Sequence, residues 1–201
     1  SATRWLAESP QALWGLFGAQ RQALDQTPPG AMHRVLAQFE AGLRADQSFL
    51  LVTGFTDGGH QRAGSQRVAE LHGNLRSTRC SRRACHLPPF GDDRAYAAGA
   101  PPCPACGAPL RPDVVLGGEP VSVDAHWQAM RALRECDLCL VIGDTGLAAP
   151  AAGLLQVAHD AGACTVWLGP NAPVHTGQPL PRHLVSGRVA RLLPRLLAVM
   201  V

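Results

Sequence analysis

The chain has 201 residues, a formal net charge of +3, and 46% hydrophobic against 16% charged residues. That balance excludes a disordered chain, and the charge is too weak to specify nucleic acid as a partner. No apolar run reaches the roughly 18 residues of a membrane span.

The N-terminus carries no signal-peptide h-region, so a reducing cytoplasm is the expected compartment. There the seven cysteines read as metal ligands or core thiols and not as disulfides. Lysine is absent, and arginine supplies the cationic side chains.

Ser9-Pro10 predicts a helix start, a capping side chain followed by Pro in the first turn. Leu13, Leu16, Phe17 and Leu24 mark its apolar face, and Thr27-Pro28-Pro29-Gly30 breaks it. Val35, Leu36, Phe39 and Leu43 predict a second helix, ending near Gly42. Within it His33 is either a packed histidine or a site residue, and packing is the favoured reading. Phe49, Leu50, Leu51 and Val52 then read as a buried strand. It opens Val52–Leu75, VTGFTDGGHQRAGSQRVAELHGNL, with five glycines and two histidines. Strand ends that release a Gly-rich loop are where open α/β sheets place their ligands.

From Arg76 to Leu110 the composition shifts. Cys80-x4-Cys85, then seventeen residues, then Cys103-x2-Cys106 has the form of a four-thiolate zinc ribbon. Two short Cys pairs on tight knuckles let four sulfurs converge tetrahedrally at about 2.3 Å from the metal. Four thiolates leave no open coordination position, so the zinc is expected to be structural. His86 is close enough in sequence to replace one cysteine. Arg76, Arg79, Arg82 and Arg83 form a basic cluster on this module, read as a solvated face in preference to a nucleic-acid or acidic-partner site.

Val114 and Val115 belong to a core strand followed by a glycine turn. Val123 to Leu133 predicts a helix with Trp127, Met130 and Leu133 inward. Leu138 to Ile142 predicts a buried strand running into Gly143-Asp144-Thr145. Cys136-x2-Cys139 falls across the start of that strand, where residues three apart face opposite sides, so these are expected to be core thiols. Gly162 is placed to cap the helix after Pro150. Thr165 to Leu168 predicts a further strand, and Ser186 to Val199 a closing helix bent at Pro194.

Several of these stretches resemble the sirtuins, NAD-dependent protein-lysine deacylases whose signature runs T-Q-N-I-D-G-L-H-Q-R-A-G-S and then E-L-H-G. Thr53, Asp57, Gly58, His60, Gln61, Arg62, Ala63, Gly64, Ser65, Glu70, Leu71, His72 and Gly73 match it. Gly54, Phe55 and Thr56 stand where the family has Gln-Asn-Ile. PPGAMHRVLAQFE resembles P-N-x-x-H-x-x-L-x-x-L-E, and LRPDVVLGGEP resembles R-P-x-V-V-W-F-G-E. The family's opening strand and G-A-G-x-S loop would lie upstream of Ser1, so the expectation is a divergent member lacking that cofactor loop.

The resemblance implies an α/β fold: a Rossmann-like parallel sheet with helices on both faces, residues 1–75 and 111–201, plus a small inserted zinc-ribbon module, residues 76–110. It implies His72 as the general base, and an imidazole titrating near neutrality suits that role; the other reading is a histidine retained for packing. Thr53, Asp57, Gly143 and Thr145 are the implied NAD contacts, Cys80, Cys85, Cys103 and Cys106 the zinc ligands. Val114, Val115 and Gly117 would line the site of an acyl-lysine protein or peptide, with Gly117 opening a wall that is aromatic in the family. Leu168 replaces an Asn that holds the adenine ribose.

Two functional readings follow: a divergent deacylase of weak or lost activity, or a catalytically silent scaffold binding a protein partner through the peptide site or the ribbon. Neither a membrane nor nucleic acid is expected as a partner.

Overall fold

The structure, a computed structural model, describes residues 8–96, 99–143, 150–171 and 180–200. Two compact units are interleaved along the chain. The first takes Ser1–Gly30, Val52–Ala63 and Glu70–Ala125; the second takes Ala31–Leu51, Gly64–Ala69 and His126–Val201.

In the first unit, helix α1 (Pro10–Asp25) starts with Pro10 in its first turn, but the Ser9 side chain makes no capping bond. The helix buries Leu13, Trp14, Gly18 and Arg21. Leu16, expected inward, is 48% exposed, because it lies about 200° around the helix from both Trp14 and Gly18. Strand β3 (Gly73–Cys80) is the centre of an antiparallel sheet, flanked by β4 (Phe90–Gly91) and β5 (Leu110–Val114). Its ladder with β5 runs from Gly73 opposite Val114 to Cys80 opposite Leu110, with a register shift between Asn74 and Thr78. One core cluster of this unit gathers Leu13, Leu75, Val114 and Leu116, and another gathers Trp14, Cys80, Cys103 and Leu110.

Arg21 is fully buried, and its guanidinium knits α1 to the sheet. Nε donates to the Leu75 carbonyl at 2.6 Å, Nη2 to the Ser77 carbonyl and Thr78 Oγ1, and Nη1 to the Arg94 carbonyl. Burial lowers its pKa, with Asp92 the largest opposing influence. A buried charge survives only when its donors are spent in this way.

In the second unit, β6 (Leu138–Ile142), β7 (Cys164–Gly169) and β8 (His183–Ser186) form a parallel sheet in that order. Around it stand α2 (Ala31–Ala41), α5 (Ala151–Asp160) and α6 (Val189–Ala198), which carries Pro194 inside it. Leu36, Leu51, Leu168, Leu193 and Leu197 form the core. Gly162 follows α5 with φ +83°, the left-handed terminator expected of it.

Three sequence expectations are corrected here. Residues 183–186 pair with β7 as a strand, so the closing helix begins only at Val189. Helix α4 (Val123–Glu135) turns Ala125 and Ala129 inward, which leaves Trp127, midway between them, 66% exposed. Strand β6 is part-covered and not buried, and Ile142 is 41% exposed, because among the described residues it pairs only with β7. Two strands that join the units' segments, β1 (Leu51–Thr53) and β2 (Val68–Glu70), form a separate two-stranded sheet. Among the described residues no helix is long and apolar enough to cross a membrane.

Candidate catalytic residues and metal centre

The loop leaving β1 is stitched to its own backbone and to the β2–β3 junction. Thr53 Oγ1 accepts the Phe55 N–H, and Asp57 Oδ1 accepts the Gly59 N–H at the start of the short helix α3 (Gly59–Arg62). The Thr53 carbonyl takes the Leu71 N–H, and the Thr56 carbonyl takes the Leu75 N–H. His72 is therefore anchored on both sides in sequence. Its own carbonyl accepts the Val115 N–H at 2.9 Å, and the Leu71 carbonyl accepts the Ser122 N–H.

Gly73 follows at φ +77°, and a Cβ there would collide with the Asp113 carbonyl oxygen. Only glycine lets β5 approach this closely. Gly54 lies against the His72 ring: a Cβ at 54 would sit 3.4 Å from Cδ2 and 3.8 Å from Nε2. With no side chain there, that side of the imidazole is uncovered by residue 54. Phe55, next in line, is 73% exposed.

Beside His72, Glu70 is part-buried. Burial raises its carboxyl pKa, and hydrogen bonds from Gln61 and Asn74 offset part of the rise. Asn74 Nδ2 donates to Glu70 Oε1 at 2.9 Å, while Asn74 Oδ1 accepts the Arg76 N–H. Thr53, Asp57, His72, Val114 and Val115 all belong to one unit, and main-chain bonds tie the Thr53 loop and Val115 to the His72 segment. Gly143 belongs to the other unit, where its N–H donates to the Leu168 carbonyl and the Trp167 ring packs against its Cα. Thr145 lies outside the described residues. At Gly117 a Cβ would meet nothing within 4 Å, so the space beside it is open.

The four ribbon cysteines converge. Their sulfurs all lie within 4.8 Å of one another, with Cys80 and Cys106 at 3.5 Å and Cys85 and Cys103 at 3.7 Å. Tetrahedral zinc with bonds of about 2.3 Å needs sulfurs about 3.8 Å apart, so the donor set fits that ion. His86 is not among the converging ligands. Burial pushes the Cys80 thiol up to about 12, whereas the Ala108 amide draws Cys106 down to about 7. A bound divalent cation ionises coordinating thiols whatever their separate tendencies. Strand β3 carries the chain from His72 to Cys80, roughly 25 Å at ordinary strand rise, so the metal centre is remote from the imidazole.

Cys136 and Cys139 are part-buried, and burial raises both thiols, Cys139 to about 11. Cys136 lies between α4 and β6, its Sγ donating to the Leu133 carbonyl, and Cys139 lies on β6. Of the arginine cluster, Arg76 pairs with Asp25 and Asp93, and Arg79 with Asp113.

Sequence reasoning missed three features. Arg21 stands at helical spacing from Trp14 and Phe17, on the apolar face of α1, and that position was the available signal. Arg111 and Glu119 form a buried bidentate pair across a turn, visible only as a charge on either side of a glycine pair. Strand β3 was hidden under its alternating polar residues.

The first unit thus carries a four-cysteine ribbon and a histidine beside a Gly-rich loop, and the second a parallel sheet. A profile of the Sir2 family matches residues 3–150, and the chain belongs to that family. It is 39% identical over 172 residues to an NAD-dependent protein deacylase of Ralstonia nicotianae, covering 83% of this chain and 65% of the relative. An NAD-dependent protein deacylase of Thermus thermophilus is 40% identical over 167 residues, covering 82% and 63%. The chain thus spans just under two thirds of the length of these relatives. The solved structure of a Sir2 homolog–NAD complex superposes with a TM-score of 0.81 at 27% identity, covering 98% of this chain and 74% of that one.

Proposed function

We propose that this chain belongs to an NAD-dependent protein-lysine deacylase of divergent type, with His72 as general base and an acyl-lysine peptide as substrate. The observation that carries the reading is the wiring of His72: its peptide unit is bonded to the Thr53 loop through Leu71 and to the candidate substrate segment through Val115. One histidine is thereby fixed between the two places from which cosubstrate and acyl group would arrive.

When bound, NAD would supply a ribose carbon made reactive by loss of nicotinamide and a hydroxyl to carry the acyl group away. The residues of the first unit fit a ribose in one respect: Gly54 leaves room for a hydroxyl to reach the imidazole, and His72 would accept that proton. Thr53 and Asp57 would order the loop beneath it, since each already bonds the loop's own backbone. Phe55, where the family has an amide, offers hydrocarbon and no hydrogen bond. One lost bond of that kind weakens binding by roughly fivefold to tenfold, so turnover is expected to be slow. Gly143 and Thr145 are further proposed NAD contacts.

The substrate backbone would add alongside residues 115–117. Among the described residues β5 stands at the edge of its sheet, but the Pro101 carbonyl and the Arg111 guanidinium already take its Leu110 N–H and its Pro112 and Val114 carbonyls, so the peptide's partners would be the residues that follow it. Structural zinc at Cys80, Cys85, Cys103 and Cys106 would hold the far end of the same sheet and take no part in the chemistry. The proposed functional partition is a Rossmann-like domain, 1–75 and 111–201, carrying a zinc module, 76–110.

Incubation with NAD and acyl-lysine peptides of increasing chain length, following nicotinamide release, tests the proposal. Release abolished by His72→Ala supports it; none with any acyl group ends it. The exposed Phe55 favours a second reading, a silent scaffold that binds a protein partner, and that reading fails if NAD binds at micromolar concentration.

A further inference from the structure

We propose that Glu119 and Arg111 act as positioning residues, a buried clamp that fixes the Val115–Gly118 turn against the His72 peptide unit and so sets where an acyl peptide lies. This rests on the deacylase reading for its substrate, though not for its geometry.

Arg111 is 3% exposed, at the second position of β5, and its guanidinium bonds both the strand, Nε donating to the Pro112 carbonyl, and the turn that follows. Nη1 donates to Glu119 Oε1 at 2.6 Å, and Nη2 to Glu119 Oε2 at 2.9 Å and to the Val114 carbonyl at 2.5 Å. Glu119 Oε2 also accepts the Leu116 N–H at 2.9 Å, and the Glu119 N–H returns to the Leu116 carbonyl. The pair thus holds the turn at its two ends and its middle. Burial alone would push the Glu119 carboxyl up, but the Arg111 fork and the Leu116 amide overcome it and hold the group below the ordinary glutamate range.

The Val115 N–H goes to the His72 carbonyl, and Gly117 projects nothing into the open space beside it. Bidentate arginine–carboxylate pairs add directional constraint as well as energy. A turn fixed this way is pre-organised, and its ordering cost is not charged to the peptide. Buried bonding of this density is also more than β5 needs to end. A simple strand end closes with a glycine turn and solvent, as Gly118 at φ +92° would allow.

The test is Glu119→Gln in the full chain, which keeps size and one acceptor but removes the charge facing Arg111. Amide hydrogen exchange at Val115 and Leu116 is expected to speed by about tenfold or more, with β3 amides from Leu75 to Cys80 unchanged. In the deacylation assay the KM for acyl peptide is expected to rise about tenfold, with kcat and the KM for NAD held within about twofold. If Glu119→Gln does not fold, Glu119→Asp keeps the charge, withdraws the carboxylate by one methylene, and is read the same way. Unchanged exchange at Val115 and Leu116 overturns the proposal, as does loss of kcat with peptide KM unmoved. If the unaltered chain releases no nicotinamide from any acyl peptide, the deacylase reading fails separately, and exchange alone then decides the clamp.

Discussion

Replacing Gly73 by alanine strains the chain in two ways that can be separated. The residue has φ +77°, and its added Cβ would run into the Asp113 carbonyl oxygen on the facing strand. Gly107 has nearly the same angle, +73°, in the same unit, but a Cβ there meets nothing within 4 Å. Gly107→Ala therefore reports the left-handed conformation alone, about 1–2 kcal/mol. Gly73→Ala adds a collision with backbone that has no rotamer to yield, a further ~1–3 kcal/mol, for a total of about 2–5 kcal/mol. For a chain of this size a kilocalorie moves the melting midpoint by roughly 2–4 °C. Gly107→Ala is then expected to lower it by about 2–8 °C and Gly73→Ala by roughly 4–20 °C, with the Gly73 variant always the lower. Thermal unfolding followed by circular dichroism measures both. Equal losses would refute the claim that β5 approaches Gly73 too closely for any side chain.

Removing zinc with a chelator is expected to loosen the core around Trp14, Cys80, Cys103 and Leu110. A red shift of tryptophan emission with one zinc released per chain is the sign to look for, and Cys80→Ser retaining full zinc would contradict it. Asp92 accepts from Arg94 Nε at 2.9 Å and from the Tyr96 hydroxyl at 2.7 Å, and although burial raises its pKa, these bonds win and hold it at about 2. Its folded pKa is lowered, so its contribution is present above the ordinary aspartate range and disappears as pH falls from about 4 to about 2. Arg94 is 69% exposed, which screens the pair, so Asp92→Asn should cost only about 1–2 kcal/mol at neutral pH, and a pH-independent difference from the unaltered chain would refute it. Gly117→Phe fills open space, and under the deacylase reading should shift preference toward short acyl groups by about tenfold in kcat/KM. An unaltered ratio of acetyl to long-chain turnover would argue against a wall at that position.

Much of the architecture could be read from the residues because the informative pieces are local. The Cys80, Cys85, Cys103 and Cys106 spacing is a property of two knuckles, and their sulfurs do meet. The helices ending near Asp25 and Ala41 are delimited by Pro and Gly in the adjoining sequence. What failed was facing. Trp127 and Leu16 are large and apolar, yet the helices bury alanines or an arginine because their neighbours leave space or acceptors of that shape. Periodicity names a stripe, whereas the partner chosen from distant sequence decides which stripe is covered. The candidate site was legible as a list of side chains but not as a network. Nothing local connects His72 with Val115, because that bond joins main-chain groups that every residue shares, and Arg111 meets Glu119 only because the turn between them folds the two side chains together.

The two units take turns along the polypeptide, three stretches each. Helix α1 finds its acceptors at Leu75, Ser77 and Leu110, all synthesised much later, so it must wait on the ribosome's output before its arginine and tryptophan have anywhere to go. Neither unit can be excised with one pair of cuts. Expression of a contiguous half should therefore yield an orphaned helix or an unfinished sheet, and any attempt to study one unit alone requires re-joining its pieces with new linkers.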